Sequence, residues 1–374
     1  MNRLRLHALI LLAALLLIPS RGSAQQKKKH PFRDTLDQAF DISYYLYNLH
    51  GFMPVVAPVT EPAVGYGGAG AALFFIPKKE QPDHRFRFPD IVAAGGGYTQ
   101  NGTWFTGGGY FGFWKDDHIR YRGAGGYADV NLKYYGLGDG FLAEHPMEFN
   151  IQAYGLVQQV IFRLGDSPFL LGGKYIFTGT HVTGQILPWV DPRETDMTNS
   201  GLGFIAEYED FDNILSPEKG TRLHINYVQY LEALGSDRNY GRVSTFAILY
   251  QPVFRQRWIA GLRLDYQLAV GDPPFYAYPF AMMRGVPAMR YQGKHVLVTE
   301  TEQLLMLSRR WGVVGFGGYG HTFSPNYEGT SFWNAGTGFR YLIARLLKMK
   351  MGIDIARGPE KWAVYMVVGN AWLR

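Results

Sequence analysis

From residue 53 to the C-terminus one local pattern recurs: apolar and polar residues alternate with a period of two. In "AGLRLDYQLAV" (260–270), Ala260, Leu262, Leu264, Tyr266, Leu268 and Val270 fall on one side of an extended chain, and Arg263, Asp265 and Gln267 on the other. "TRLHINY" (221–227) sets Leu223, Ile225 and Tyr227 against Arg222, His224 and Asn226. "MKMGIDI" (349–355) sets Met349, Met351, Ile353 and Ile355 against Lys350 and Asp354. About sixteen such segments are spread over residues 53–374, an even number, each near the length of a tilted bilayer crossing. A soluble sandwich alternates too, so composition has to decide. The chain holds 46 Gly, 25 Tyr, 25 Phe and 8 Trp, with only 18% charged residues. Aromatics recur near segment ends, at Trp104, Trp114, Trp258, Trp311, Trp333, Trp362 and Trp372, as they do at membrane interfaces. The expected fold is all-β: a 16-stranded antiparallel transmembrane β-barrel with a short N-terminal periplasmic helix.

The N-terminus is of another kind. Residues 1–24 read as a secretory signal, with Arg3 and Arg5 before the apolar run "LHALILLAALLLI" and a small-residue cleavage site ending at Ala24. Residues 25–52 form a lead-in. There "DTLDQAFDISYYLYNLHG" predicts one short helix, with Asp34 as N-cap and Gly51 just past the end. Residues 53–374 are the barrel. The expected location is the bacterial outer membrane of a Gram-negative cell.

"GYGGAG" (65–70) matches the dinucleotide fingerprint G-x-G-x-x-G. That fingerprint binds pyrophosphate only where it opens a helix after a strand. Here strand-like sequence lies on both sides, and the pattern recurs at 107–112 and 315–320, so the glycines read as strand glycines. No cysteine is present, and the scattered histidines show no metal-ligand spacing. The net charge of +6 (37 basic, 31 acidic residues) is too mild to point to nucleic acid. The expectation is therefore no enzyme, no cofactor, no metal and no nucleic acid.

Four stretches, in order, resemble the BamA/TamA family of outer-membrane barrels, of the bacterial surface antigen type. "EYEDFDNILSPEKGTRLHINY" (207–227) is similar to its D-x-R-D-N-x-x-x-P-x-x-G stretch, through Asp210, Asp212, Asn213, Pro217 and Gly220, with Phe211 at the third place. "MMRGVPAMRYQG" (282–293) resembles its sixth extracellular loop, with Met283, Arg284, Gly285 and Val286 at the core. "GTGFR" (336–340) resembles a later strand, and "VVGNAW" (367–372) the C-terminal targeting strand. The resemblance implies that Arg284 folds into the lumen beside Gly285 and meets acids on the twelfth and thirteenth strands. Glu302 is the expected partner and Glu300 the fallback, because Gly318 stands where the thirteenth-strand acid would be. Gly369 and Trp372 mark the seam and targeting strand, and the first and last strands, near Val59 and Val367, are expected to meet. The lead-in is too short for the family's POTRA domains, so the resemblance is to a short branch lacking them. It implies a role in outer-membrane biogenesis, by protein insertion or lipid rearrangement through the seam. The alternative is a passive, porin-like channel. Candidate partners are outer-membrane lipid, client outer-membrane proteins and a second copy of the chain.

Overall fold

The computed structural model describes residues 32–47, 51–78, 89–138, 140–185, 188, 190–254, 257–325 and 327–372. The signal segment 1–24 lies outside them. A one-turn helix α1 (Ser43–Tyr47) precedes β1 (Gly51–Val59), β2 (Gly67–Ile76), β3 (Asp90–Thr99), β4 (Trp104–Trp114) and β5 (Ile119–Tyr134). A short α2 (Phe141–Glu144) leads to β6 (Met147–Arg163), β7 (Phe169–Gly184), β8 (Asp196–Glu209), β9 (Gly220–Tyr230), β10 (Tyr240–Phe254) and β11 (Trp258–Gly271). The chain ends with β12 (His295–Met306), β13 (Trp311–Ser324), β14 (Tyr327–Ala344), β15 (Met349–Arg357) and β16 (Trp362–Val368). All sixteen strands form one sheet in sequence order, each antiparallel to the next. The fingerprint glycines lie in the β1–β2 connection and in β2, with no helix behind them.

The two faces are those of a sheet in lipid. Leu262, Leu264, Ile225 and Ile355 are each 45–50% exposed, whereas Arg263, Asp265, Lys350 and Asp354 are almost wholly buried. A water-soluble fold buries its leucines and exposes its charges; here the order is reversed, because the apolar face meets hydrocarbon and the polar face lines the lumen. Trp104, Trp114, Trp258, Trp311, Trp333 and Trp362 are exposed on the outside. The alternation changes meaning at the upper end of β5, where Tyr134 turns inward with Phe149 and Val182 to pack on Phe275 of the β11–β12 connection.

The sheet is not zipped shut. Among the described residues no ladder joins β1 to β16, so pairing of the first and last strands is absent. Val59 and Val367 also do not face each other: antiparallel strands place Val59 at the loop rim and Val367 near the rim that carries the chain ends. Pro54 and Pro58 sit in the unbroken register of β1, opposite Ala72 and Gly68 of β2. A proline nitrogen cannot donate, so the bonded pairs of that ladder are the odd-numbered residues, and both proline nitrogens point to the free edge.

The lead-in differs from the helix expected over it. Asp34, Asp37 and Asp41 each turn one oxygen back on the chain, accepting from the backbone N–H of Leu36 (3.1 Å), Ala39 (3.1 Å) and Ser43 (2.6 Å). Such Asx turns compete with helix, which starts only at Ser43. The other oxygens converge on Arg310 in the β12–β13 turn, at 2.7 Å from Asp37 and 2.6 Å from Asp41, with Asp34 also bonded to it and to Arg345. The Ile42 N–H donates to the Ile343 carbonyl (2.8 Å), so the segment is fastened to the barrel rim. The Arg345 hydrogen bond first, with Arg310 beside it, holds the Asp34 carboxyl down at about 2, and Asp37 is lowered chiefly by Arg310. A carboxyl with a depressed folded value contributes its full stabilisation above the ordinary range near 4 and loses it as pH falls toward about 2. Limited proteolysis of residues 32–47 should therefore stay slow from pH 7 down to about 5 and accelerate as pH falls through that window. Arg310→Ala should speed cleavage at least roughly tenfold at pH 7, and Arg345→Ala less, because Asp37 and Asp41 keep Arg310.

Candidate functional site

The connection between β11 and β12, residues 272–294, folds into the lumen. Phe275, Ala281, Met283, Val286, Met289 and Tyr291 are buried there, and Ala281, Met283, Val286 and Tyr291 pack on Val296, Val298 and Phe332 of the wall. Apolar side chains on both sides of that packing explain why a long loop folds inward. It carries Arg284 to the barrel interior, where the residue is 9% exposed.

One nitrogen of the Arg284 guanidinium serves two acids. Nη1 donates to Asp354 Oδ2 of β15 (2.6 Å) and lies 2.8 Å from Glu302 Oε2 of β12. The Glu302 contact is an ion pair outside hydrogen-bond alignment, and among the described residues Nε and Nη2 find no hydrogen-bond partner. Instead the guanidinium lies over the Phe316 ring of β13, 3.6 Å from its centroid. Asp354 also bonds Arg340 of β14, and Arg340 lies 3.7 Å from Glu302. Glu300 is engaged elsewhere, with Arg263 (2.5 Å) and Asn334 (2.9 Å). Two cations thus share two carboxylates in a buried space. The second acid is Asp354, which the sequence shows only as a polar residue on the inner face of β15. The acid-free place at Gly318 also has a steric reason: a Cβ there would stand 2.6 Å from Glu300 Cγ and 2.8 Å from Met283 Cε.

The same loop bridges the unladdered edge from inside. The Gly285 N–H donates to Tyr365 Oη of β16 (2.8 Å), and the Ala288 N–H to the Glu61 carboxylate in the β1–β2 connection (3.0 Å). Gly285 has φ +83, and a Cβ on it would come within 2.8 Å of the Gly358 nitrogen, so glycine is required on two counts. Arg290 and Tyr291 add contacts to Glu360 in the β15–β16 turn.

The C-terminal residues also differ from a targeting strand. The strand β16 stops at Val368, Gly369 turns with φ +77, and Trp372 enters the lumen, 3% exposed. Asn370 Oδ1 accepts from Tyr250 Oη and from the Trp372 N–H, both at 2.8 Å. Trp372 packs with Tyr250, Ile248 and Ile259 of the β10–β11 wall. A cavity of about 290 Å³ remains between loop, edge and chain end, lined by Glu61, Arg284, Glu300, Tyr365 and Trp372. Among the described residues no group of three His, Asp or Glu side chains could hold a metal ion.

No protein-family model matches the chain, and no curated protein does. Solved structures do. BamA from Haemophilus ducreyi lacking POTRA domains 1–3 is similar over 86% of this chain and 70% of its own, with TM-score 0.59 and 11% identity. CdiB from Acinetobacter baumannii is similar over 85% and 59%, with TM-score 0.57 and 11% identity. CdiB from Escherichia coli gives 84% and 61%, with TM-score 0.55 and 13% identity. The chain thus spans about three fifths of the CdiB chains. The likeness is to outer-membrane barrels, and at this identity it shows the fold alone.

Asp354→Ala leaves Arg284 and Arg340 to one carboxylate, whereas Arg284→Ala leaves Asp354 still paired with Arg340. Loss of a buried partner costs on the order of 3–5 kcal/mol. Asp354→Ala should therefore lower the urea midpoint of the detergent-folded barrel most, Arg284→Ala less, and the Arg284→Ala/Glu302→Ala double variant by less than the sum of its singles. Gly318→Asp, which supplies the acid the resemblance leads one to expect, should destabilise the barrel, because Glu300 and Met283 already fill that space.

Proposed function

We propose that this chain acts in the bacterial outer membrane as a biogenesis barrel, passing client protein strands or lipid through its β1–β16 edge without catalytic chemistry. The observation that carries the reading is the edge itself. It is unladdered, two of its donors are replaced by Pro54 and Pro58, and a loop rather than a strand pair spans it. Backbone groups at a free edge are costly in hydrocarbon unless something pairs with them. An incoming β-strand could add to the edge, and a lipid could pass through it.

The passive-channel reading makes no use of the edge. It is also less at ease with a lumen occupied by the loop and by Trp372. The two part in one experiment. The chain has no cysteine, so an engineered pair is its only thiol chemistry. Cysteines introduced between residues 52–56 of β1 and 364–368 of β16 should crosslink in at least one register under oxidation. The locked chain should lose its ability to restore outer-membrane integrity in a strain lacking it, and a reductant should return it. Undiminished rescue by a fully crosslinked chain, with a large steady single-channel conductance, would falsify the proposal in favour of the channel.

A further inference from the structure

The lumen is divided. The buried ion pairs of the wall gather on β8, β9, β11, β12, β14 and β15, with Arg120 of β5 joined to Glu209. The middle of the inner face from β2 to β7 is mostly Gly, Ala and aliphatic, and the two meet at a row of cations without partners among the described residues. Register places Arg122, Gln159, Lys174, Gly203, Val228 and Arg242 side by side across six neighbouring strands, β5 to β10. All have the inward parity of the buried wall. Among the described residues Arg122, Gln159, Lys174 and Arg242 make no hydrogen bond or ion pair, although Gln159 is only 9% exposed. Lys174 feels the positive charge of both Arg122 and Arg242. The carboxylates nearest in charge to Arg122 are already engaged: Glu207 by Arg222 (3.2 Å) and His224 (2.8 Å), Glu209 by Arg120 (2.8 Å). Three like charges facing one space repel unless an anion joins them. Gly203 and Val228, with short side chains, leave room for it.

The next inward row, two residues along each strand, has no charge. Ala93, Gly109, Ala124, Val157 and Ile176 lie side by side there. They line a hollow of about 510 Å³, within the ~300–1,000 Å³ that holds an organic ligand. A second hollow, of about 350 Å³, adjoins it through Ala71, Gly95 and Gly107 and reaches Val55 and Ala57 on β1, the free edge.

From this we infer that the lumen holds the phosphate of an acyl lipid on Arg122, Gln159, Lys174 and Arg242, with an acyl chain laid along the Gly/Ala wall toward β1. Charge complementarity selects the headgroup, and the uncharged row selects the chain. Two guanidiniums can each present two N–H groups to phosphate oxygens, and the ammonium supplies a point charge. The inference rests on the lumen and takes from the functional proposal only the edge as the way in.

The test uses the full mature chain folded in a zwitterionic detergent. Binding of palmitoyl lysophosphatidate, palmitoyl monoglyceride and inorganic phosphate is followed by native mass spectrometry and by competition. The lysophosphatidate should bind, the monoglyceride at least roughly tenfold more weakly, and inorganic phosphate should not displace it at equal concentration. The Arg122→Gln/Lys174→Gln/Arg242→Gln variant should bind at least roughly tenfold more weakly. It should still migrate as a heat-modifiable barrel, since no ion pair is removed. Ile176→Trp, which projects an indole across the hollow and keeps the cations, should reduce the advantage of a palmitoyl over an octanoyl chain. Equal binding of the charged and neutral lipids, unchanged binding by the triple variant, or displacement by inorganic phosphate would each overturn the inference. A seam-crosslinked chain folded in the presence of the lysophosphatidate should still retain it. That result supports the site whatever becomes of the edge as a passage, and its absence counts against the site alone.

Discussion

Everything in this molecule follows from one constraint: hydrocarbon offers no hydrogen bond to a peptide group. A strand in lipid must find its partners in the next strand, so the sheet has to run round until its ends meet. Fifteen consecutive ladders satisfy that demand from β1 to β16, and the sixteenth contact is where it is left unmet by backbone. The two end strands are short, nine and seven residues, against sixteen to eighteen in β5, β6, β7 and β14. Short edges carry fewer unsatisfied groups. Pro54 and Pro58 reduce them further by removing donors.

The interior answers a different problem, that of burying charge. Glu300, Glu302 and Asp354 would each be costly alone, and so would Arg263, Arg284 and Arg340. Interleaved, they neutralise one another within a space closed by Phe316, Met283 and Trp372. The arrangement fixes the loop relative to β12, β14 and β15, and so fixes where Gly285 and Ala288 stand against β16 and the β1–β2 connection. The ion cluster acts on the edge through the loop, although none of its members belongs to β1 or β16.

What could be read from the sequence was what lies within a few residues. Leu262 against Arg263, Ile225 against His224 and Ile353 against Asp354 show their faces locally, because a strand's side chains alternate whatever its neighbours are. The place of the loop between the eleventh and twelfth strands follows from counting those segments. What could not be read depends on register and long-range contact. Arg310 meets Asp34, Asp37 and Asp41 across more than 260 positions, and the only local sign was the spacing of three acids in "DTLDQAFD". There the pattern suggested helix, and Asx turns prevailed because each aspartate had a distant cation to serve. Asp354 as partner of Arg284, and Arg122 beside Gln159 beside Lys174, emerge only once neighbouring strands are set side by side. Trp372 reads as an interface aromatic because it directly follows the last alternating segment; the left-handed turn at Gly369 takes it inside instead.

The bridge across the edge has a magnitude that matters for how the edge could work. On the β16 side its span is the Gly285 to Tyr365 hydrogen bond with the Arg290 and Tyr291 contacts to Glu360, and on the β1 side, among the described residues, one hydrogen bond to a carboxylate, Ala288 to Glu61. The two sides act in series, so the strap parts when the weaker side gives way, and a net contribution of about 1.5–3 kcal/mol for a hydrogen bond to a charged group sets the scale on the β1 side. A gap of a few kcal/mol leaves a minor state populated at about 0.1–10%. A continuous ladder between two strands, each of whose broken bonds would strand two groups in lipid, would be far costlier to part. Replacing strand pairing with a strap anchored on side chains therefore keeps the barrel whole, because the ion cluster holds the loop firmly. It also places the weak link at the Ala288 to Glu61 bond, where water or an entering polar group can take its place.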